Sequence, residues 1–296
     1  MSAKHILHML STARHASPFD VNMALDAGFE SVTPYINVTL EDVAPLVQDA
    51  MFSRPPPHAV RTGIFLGGKD ALLALDMLAA AKAALLPPFE ISLFADPAGS
   101  FTTAAAMVAC MEKLLKTRDR SLTGLKTVVF GATGVVGFSS AVIAALEGAD
   151  VVLAGHDGVA RVAKSAAEIQ KRFGVATHAV DASTPGLKEA LLDKAEAVLC
   201  AGRAGLQVLG AAQIAGAKNL IVAADVNAVP PAGIEGLGLM DNGLALGGGH
   251  VLGLGPLAIG NVKYQTQAGL FRQMTEATSV QCYDFRDAFA LARKLV

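Results

Sequence analysis

Cysteine is scarce in this chain. Cys110, Cys200 and Cys282 are its only thiols, odd in number and widely spaced, which fits neither a disulfide framework nor a metal-binding spacing and predicts a reducing, cytoplasmic setting. Charge of one sign is lacking as well. A net charge of −2 without any run of Lys or Arg excludes the electrostatic footprint of a nucleic-acid binder, though a local site can still hold an anionic small molecule. No stretch of about 18 uninterrupted apolar residues occurs, so no membrane span is expected. The opening MSAKHILHMLSTARH breaks its apolar run at His5 and His8, which predicts no export signal. What the chain has is core-forming material: 296 residues, 52% hydrophobic, enough for one large domain or two ordinary ones.

Strand-type and helix-type segments alternate, the pattern of parallel sheets covered by helices, and the fold class expected is α/β with two α/β domains. Strands are predicted over Ile6–Leu10, Ser31–Tyr35, TGIFLGG and FEISLFAD, and helices over Pro18–Ala27, after the capping box TLED that begins at Thr39, over Lys69–Leu86 and up to Lys116. The prolines of SRPPPHAV predict extended loop, and PAGSFTTAAA is expected as a loop leading into the helix that ends near Lys116. The polar connector TRDRSLTGLK sets a domain boundary near Leu122. Beyond it, strands are predicted over Thr127–Phe130, Asp150–Ala154, Ala176–Val180, Ala197–Cys200 and Leu220–Ala224, with helices over Val135–Leu146, Val159–Phe173 and Pro185–Lys194. The Gly/Pro-rich stretch from Asn227 to Gly260 is too long for an ordinary connection and is expected as a site-forming loop. Two closing helices, Lys263–Thr275 and Asp284–Leu295, are expected to return to the first domain.

The segment KTVVFGATGVVGFSSAVIAALEGADVVLAGHDG, Lys126 to Gly158, reads as strand, glycine turn, helix, strand. Gly131, Gly134 and Gly137 are spaced G-x-x-G-x-x-G where the usual dinucleotide fingerprint is G-x-G-x-x-G. The physical need is the same: a tight turn, backbone close to a pyrophosphate, and a helix N-terminus facing that anion. The apolar strand before it and the second strand about 20 residues on supply the confirming context. Gly131, Ala132, Thr133, Gly134, Val135, Val136 and Gly137 are therefore candidates for holding NAD(P); a glycine turn kept only for close packing is the alternative.

The chain as a whole resembles the NAD(P)-dependent methylene-tetrahydromethanopterin dehydrogenases of bacterial one-carbon metabolism, which serve formaldehyde oxidation and methylotrophy. The resemblance is carried by SPFDVNMALDAG, VTPYINVT, FLGGKD, FADPAGSFTTAAA, GATGVVG, ADVNAVPPAGIEG and GLGPLAIGNVK. It implies a pterin-binding domain over 1–122 joined by C-terminal helices from 261–296, and a Rossmann-type doubly wound domain over 123–260, with the active-site cleft between them. It also implies a homo-oligomer; no metal is expected from the residues. Hydride leaves a carbon bridging two nitrogens, and the resulting cation is delocalised, so no proton need move and positioning with electrostatics should carry the rate.

Ligands of parallel sheets gather at the carboxyl ends of strands, which selects Asp96, Gly99, Ser100, Thr102 and Thr103 for the pterin. Capping of the following helix is the alternative for Asp96 and both threonines. Asp20 is a further pterin candidate, although an acid in a first helical turn has a structural reason to be there. The family pattern puts an active-site lysine at Lys263. Ala201, Gly202, Asp225 and Asn227 join the cofactor set. His8, His15 and His250 read as structural or surface residues. At the end of the second strand, Gly155-His156-Asp157 offers neither the clean acid of NAD enzymes nor the arginine of NADP enzymes. His156 occupies the place of the family's NADP-specific arginine, and Asp157 comes one position late, so both NAD and NADP are expected to serve; Arg161 or Lys164 are the alternative determinants. Methylene-tetrahydrofolate is the second substrate considered, and a non-catalytic NAD(P)-binding sensor the second function class.

Overall fold

The computed structural model describes residues 3–246 and 249–296. It divides into two compact units, one of Met1–Thr102 with Tyr264–Leu291 and one of Thr103–Lys263 with Ala292–Val296.

In chain order the elements begin with β1 (Ile6–Ser11), α1 (Pro18–Asp26), β2 (Ser31–Tyr35), α2 (Leu40–Phe52), α3 (Pro56–Ala59), β3 (Thr62–Gly67), α4 (Ala71–Ala84) and β4 (Ser92–Ala95). A 3-10 turn over Pro97–Gly99 leads into α5 (Ser100–Lys116). Then come β5 (Lys126–Phe130), α6 (Val135–Leu146), β6 (Asp150–Gly155), α7 (Ala160–Phe173), β7 (His178–Asp181), α8 (Pro185–Leu192), β8 (Ala197–Cys200), α9 (Ala211–Gly216) and β9 (Val222–Asp225). The chain closes with β10 (Asn242–Leu246), β11 (Val251–Leu254), α10 (Pro256–Glu276), β12 (Cys282–Tyr283) and α11 (Phe285–Leu295).

The first unit holds a five-stranded sheet in the order β12-β4-β3-β1-β2, every pair parallel. The chain leaves β1 for β2 on one side and then crosses back to β3 on the other. The sheet is therefore doubly wound, and the crevice at its switch point opens at the carboxyl ends of β1 and β3. Every residue of β3 is buried, as expected of a strand with helices on both faces. Phe65 of β3, Phe94 of β4 and Phe271 of α10 form the centre of this core, with ring centroids 5.1 to 5.4 Å apart, a separation at which aromatic pairs attract beyond their buried area.

The second unit holds a seven-stranded sheet in the order β10-β11-β9-β8-β5-β6-β7, with only β10 antiparallel to its neighbour. Here β5 pairs with both β6 and β8, so the switch point lies at the carboxyl ends of β5 and β8. Val128, Phe130, Val198, Leu209 and Ile234 are buried together in its core.

Several expectations are corrected. SRPPPHAV is not wholly extended: Pro55 takes the extended conformation of an N-cap and the four-residue α3 follows, because the missing N–H of proline is no loss in a first helical turn. PAGSFTTAAA is helical from Ser100, since the tight turn over Pro97–Gly99 with Ala98 in the left-handed region (φ 53°, ψ 32°) brings the chain straight onto the helix axis. The stretch from Asn227 to Gly260 is not one loop; it carries β10 and β11, the second fully buried. That pairing is decided by the exposed edge of β9, a tertiary fact. The first closing helix starts at Pro256, so Lys263 lies inside it, where proline at the first position and a tolerated Gly260 had masked the true start. Helix α4 starts at Ala71 because the Asp70 carboxylate caps it, accepting from the Leu73 N–H at 2.9 Å. TLED does start a helix: the Asp42 carboxylate accepts from the Thr39 N–H and hydroxyl at 2.8 and 2.7 Å.

Candidate functional sites at the two switch points

In the second unit the glycine turn lies at the carboxyl end of β5. Gly131 has φ +79°, and a Cβ there would overlap the Ala201 carbonyl at the end of β8. Two strand ends thus approach as closely as backbone allows. A Cβ on Gly137 would overlap the Gly131 carbonyl, so this third glycine lets α6 pack directly on the turn. Gly134 is the N-cap of α6, and a Cβ there would meet nothing nearer than 3.4 Å. The space in front of the helix is therefore open, and the first-turn amides of Val135, Val136 and Gly137, which helix geometry leaves without intrahelical acceptors, face it. Ala132 and Thr133 complete the turn. This arrangement fits a pyrophosphate, whose charge the helix N-terminus favours.

The second strand of this unit, β6, ends in an equally tight turn, because a Cβ on Gly155 would overlap the Gly158 carbonyl. His156 and Asp157 project from it, with side chains 70% and 43% exposed. Arg161, near the start of α7, reaches back to both neighbouring loops. Its Nη1 donates to Asp157 Oδ2 at 3.0 Å and its Nη2 to Thr133 Oγ1 at 3.2 Å. The Arg161 hydrogen bond holds the Asp157 carboxyl below its usual range, with the neighbouring His156 adding to the shift.

At the ends of β8 and β9, polar groups build the wall of the site. The Asp225 carboxylate is fully buried. It accepts from the backbone N–H groups of Asn227 at 3.0 Å, Gly233 at 2.7 Å and Ile234 at 3.3 Å. Burial pushes its pKa up against the pull of those bonds. Asn227 Oδ1 accepts from Gly205 and Val229, and its Nδ2 donates to the Pro231 carbonyl. Asp225 and Asn227, expected to contact cofactor, thus tie loops 203–205 and 227–234 into a frame, while Ala201 and Gly202 stand at the switch point itself. Burial, reinforced by Asp225, raises the Cys200 thiol far above its usual value and leaves it inert.

In the first unit a cavity of about 300 Å³ sits at the carboxyl ends of β1 and β3, lined by Ser11, Ser17, Asp20, Gly67, Lys69 and Ala98 among others. Ser17 caps α1, accepting from the Asp20 N–H at 3.3 Å. The Asp20 side chain is aimed by Gln267 of α10, whose amide donates to Asp20 Oδ1 at 2.7 Å. Gln267 is fully buried, and the sequence reading missed it. The available signal was its place one helical turn after Lys263, on the same face of a helix.

Asp96, expected to touch the pterin, is fully buried. Its Oδ1 accepts from the Phe101 and Thr102 N–H groups at 2.9 and 3.2 Å and its Oδ2 from the Thr102 hydroxyl at 2.6 Å. Asp96 and Thr102 therefore secure the start of α5. Of this loop it is Ala98 that lines the cavity; Gly99 is buried, and Ser100 and Thr103 are half-buried. His8 bonds Tyr35 and His250 the Ala217 carbonyl, as structural residues would, whereas His15 lines the cavity. Among the described residues no group of three or more His, Cys, Asp or Glu side chains could hold a metal, and no helix is long and apolar enough to cross a membrane.

Residues 18–98 match the family model described as methylene-tetrahydromethanopterin dehydrogenase, N-terminal. Over 291 residues, 98% of each chain, the sequence is 54% identical to the NAD(P)-dependent methylenetetrahydromethanopterin dehydrogenase of Methylorubrum extorquens. It is 32% identical over 99% of each chain to the bifunctional protein MdtA of the same organism. Among solved structures, the NAD-dependent malic enzyme of Thermotoga maritima aligns with a TM-score of 0.58 at 13% identity, covering 98% of this chain and 84% of that one. The 5-ketofructose reductase of a Gluconobacter species aligns at 0.51 and 15%, covering 99% of each. At such identities these two share the fold alone.

Proposed function

This chain belongs to the methylenetetrahydromethanopterin dehydrogenase family, and from that premise we propose that it transfers a hydride from methylene-tetrahydromethanopterin to NAD(P)+, leaving methenyl-tetrahydromethanopterin. The end-to-end identity of 54% to a relative of that name carries the reading. The two switch-point sites support it, one shaped for a pyrophosphate and one a cavity with a buried-in acid at its wall.

The nicotinamide cofactor, when bound, supplies the hydride acceptor. This chain's residues hold and aim. Gly131, Gly134 and Gly137 leave room for the diphosphate, and the amides of the first turn of α6 stabilise its charge. The Asp225 and Asn227 frame keeps the loops beside β8 and β9 in place. On the substrate side the cavity takes the pterin ring, with Asp20 accepting from ring N–H and amino groups while Gln267 fixes its orientation. Lys263, four residues before Gln267, donates to the substrate and is the residue we assign to the reaction. Because loss of hydride leaves a cation spread over two nitrogens, no general base is needed, and fixed geometry supplies the rate. In this reading residues 1–122 with helices from 261–296 serve the pterin and 123–260 the cofactor. The enzyme works as a homo-oligomer in the cytoplasm, uses both NAD and NADP, and serves formaldehyde oxidation.

The test is a spectrophotometric assay of nicotinamide reduction by purified protein given formaldehyde and tetrahydromethanopterin, which combine spontaneously. Reduction with that pterin is expected. Reduction with tetrahydrofolate alone would replace the substrate, and none with either would favour a nucleotide-binding sensor.

A further inference from the structure

Arg161 spans two loops that the chain places far apart. Its Nη1 donates to Asp157 Oδ2 at 3.0 Å, at the end of β6, and its Nη2 to Thr133 Oγ1 at 3.2 Å, in the glycine turn. In an open parallel sheet of this order, the adenosine ribose lies between those two loops, its 2′-oxygen towards the end of the second strand. Closeness along the chain, across the turn that leads into α7, is enough to explain an Arg161–Asp157 pair. It does not explain the contact with Thr133, which requires the side chain to lie along the rim of the cofactor site.

The chemistry of the pair is two-sided. A free 2′-hydroxyl is best met by a carboxylate acceptor, and a 2′-phosphate by a planar cation that bonds it in two places. Asp157 and Arg161 supply one of each, and while paired they neutralise one another, so the site neither repels the phosphate outright nor lacks an acceptor for the hydroxyl. Their side chains are 43% and 56% exposed, and an ion pair in such a setting holds weakly enough for a ligand to displace it. His156 is adjacent, its Nδ1 3.9 Å from Asp157 Oδ1, but it makes no bridge to the glycine turn among the described contacts.

We propose that Arg161 and Asp157 act as an exchangeable pair that reads the 2′-position of the cofactor. Arg161 turns from Asp157 to the 2′-phosphate of NADP, and with NAD it stays on Asp157 while the free carboxylate oxygen accepts from the ribose. This rests on the glycine turn being the NAD(P) site, and it moves the chief determinant of cofactor choice from His156 to Arg161.

Calorimetric titration of the full-length protein with ADP and with adenosine 2′,5′-bisphosphate tests this without turnover. Wild-type protein should bind both. Arg161→Ala should weaken the bisphosphate by about tenfold or more, the size of one lost charge-assisted bond, with ADP changed by less than about twofold on the same reasoning. Asp157→Asn should shift preference the opposite way, and Arg161→Lys should recover part of the bisphosphate affinity. Equal losses for both ligands in Arg161→Ala would make Arg161 a loop clip and overturn the proposal. So would unchanged bisphosphate binding, or a larger selective loss in His156→Ala. Arg161→Gln repeats the test with the stem retained, and thermal melting checks the fold of each variant. Wild-type protein that binds neither nucleotide would instead remove the NAD(P)-site reading, and this proposal with it.

Discussion

The side-chain amide of Gln267 donates to Asp20 Oδ1 at 2.7 Å across 247 positions of sequence, joining the cavity wall of the first unit to α10. Both residues are buried, and Asp20 also lines the cavity, so this contact fixes where the carboxylate stands in the cavity wall.

Gln267→Ala should therefore destabilise the protein by about 1.5–3 kcal/mol, the usual size of a hydrogen bond to a charged group, and raise the Michaelis constant for the pterin more than that for NAD(P). Thermal melting and steady-state kinetics measure both. Equal changes in the two Michaelis constants would show that Gln267 supports the fold without aiming Asp20.

Lys263→Ala should lower turnover by about one to three orders of magnitude, as expected on removing one preorganised polar group, while nucleotide affinity and melting temperature stay near wild type. Near-normal turnover in the folded variant would end the assignment of Lys263 to the reaction.

Two glycine substitutions separate sterics from backbone conformation. Gly131 and Gly174 have similar φ, +79° and +72°, but a Cβ at Gly131 would overlap the Ala201 carbonyl whereas at Gly174 it would meet nothing within 4 Å. Gly174→Ala should cost about 1 kcal/mol, the left-handed penalty alone. Gly131→Ala should cost several times as much and abolish nucleotide binding. Denaturant unfolding and nucleotide titration report the contrast; equal costs would mean that the β5–β8 approach is not needed.

Asp225 sets a pH dependence. Burial raises its folded pKa above the unfolded value despite three backbone donors, so the protonated form is the one that folding favours. The contribution to stability is fully present below the ordinary aspartate pKa and is lost as pH rises through the raised folded value. Asp225→Asn should abolish that slope. It should also destabilise at neutral pH, because an amide cannot present acceptors to Asn227, Gly233 and Ile234 at once. Melting temperatures of both proteins across the acidic range give the answer, and parallel curves would assign the slope to another group.

Much of this architecture is local and was legible in the residues. The inner strands β3, β4, β8 and β9 are short runs buried on both faces, and their alternation with amphipathic or alanine-rich helices prescribes parallel sheets whatever their order. Thr39 with Asp42, and Ser17 followed by Pro18, start helices by contacts that lie within one turn. The glycine turn is likewise a matter of a few consecutive residues, and the spacing of Gly131, Gly134 and Gly137 marks it.

What the sequence could not determine depends on partners distant along the chain. The β10–β11 pair exists because β9 offers an edge to β11, and a Gly-rich stretch with no such edge would read as loop. Asp96 and Asp20 are both acids near strand or helix ends, indistinguishable by type. Asp96 is held by Phe101 and Thr102, five and six residues on, as its capping alternative expected, whereas Asp20 stands at a cavity wall held by Gln267, 247 positions away. Asp225, a cofactor candidate by sequence, accepts from three backbone donors that the loops after β9 bring around it. Arg161 stood close to the right loop in sequence, but only the folding of β5 against β6 brought Thr133 to its other side. Local chemistry decides which element forms; the few polar groups that end beside an open site are decided by which backbone donors the assembled sheets bring to the rest.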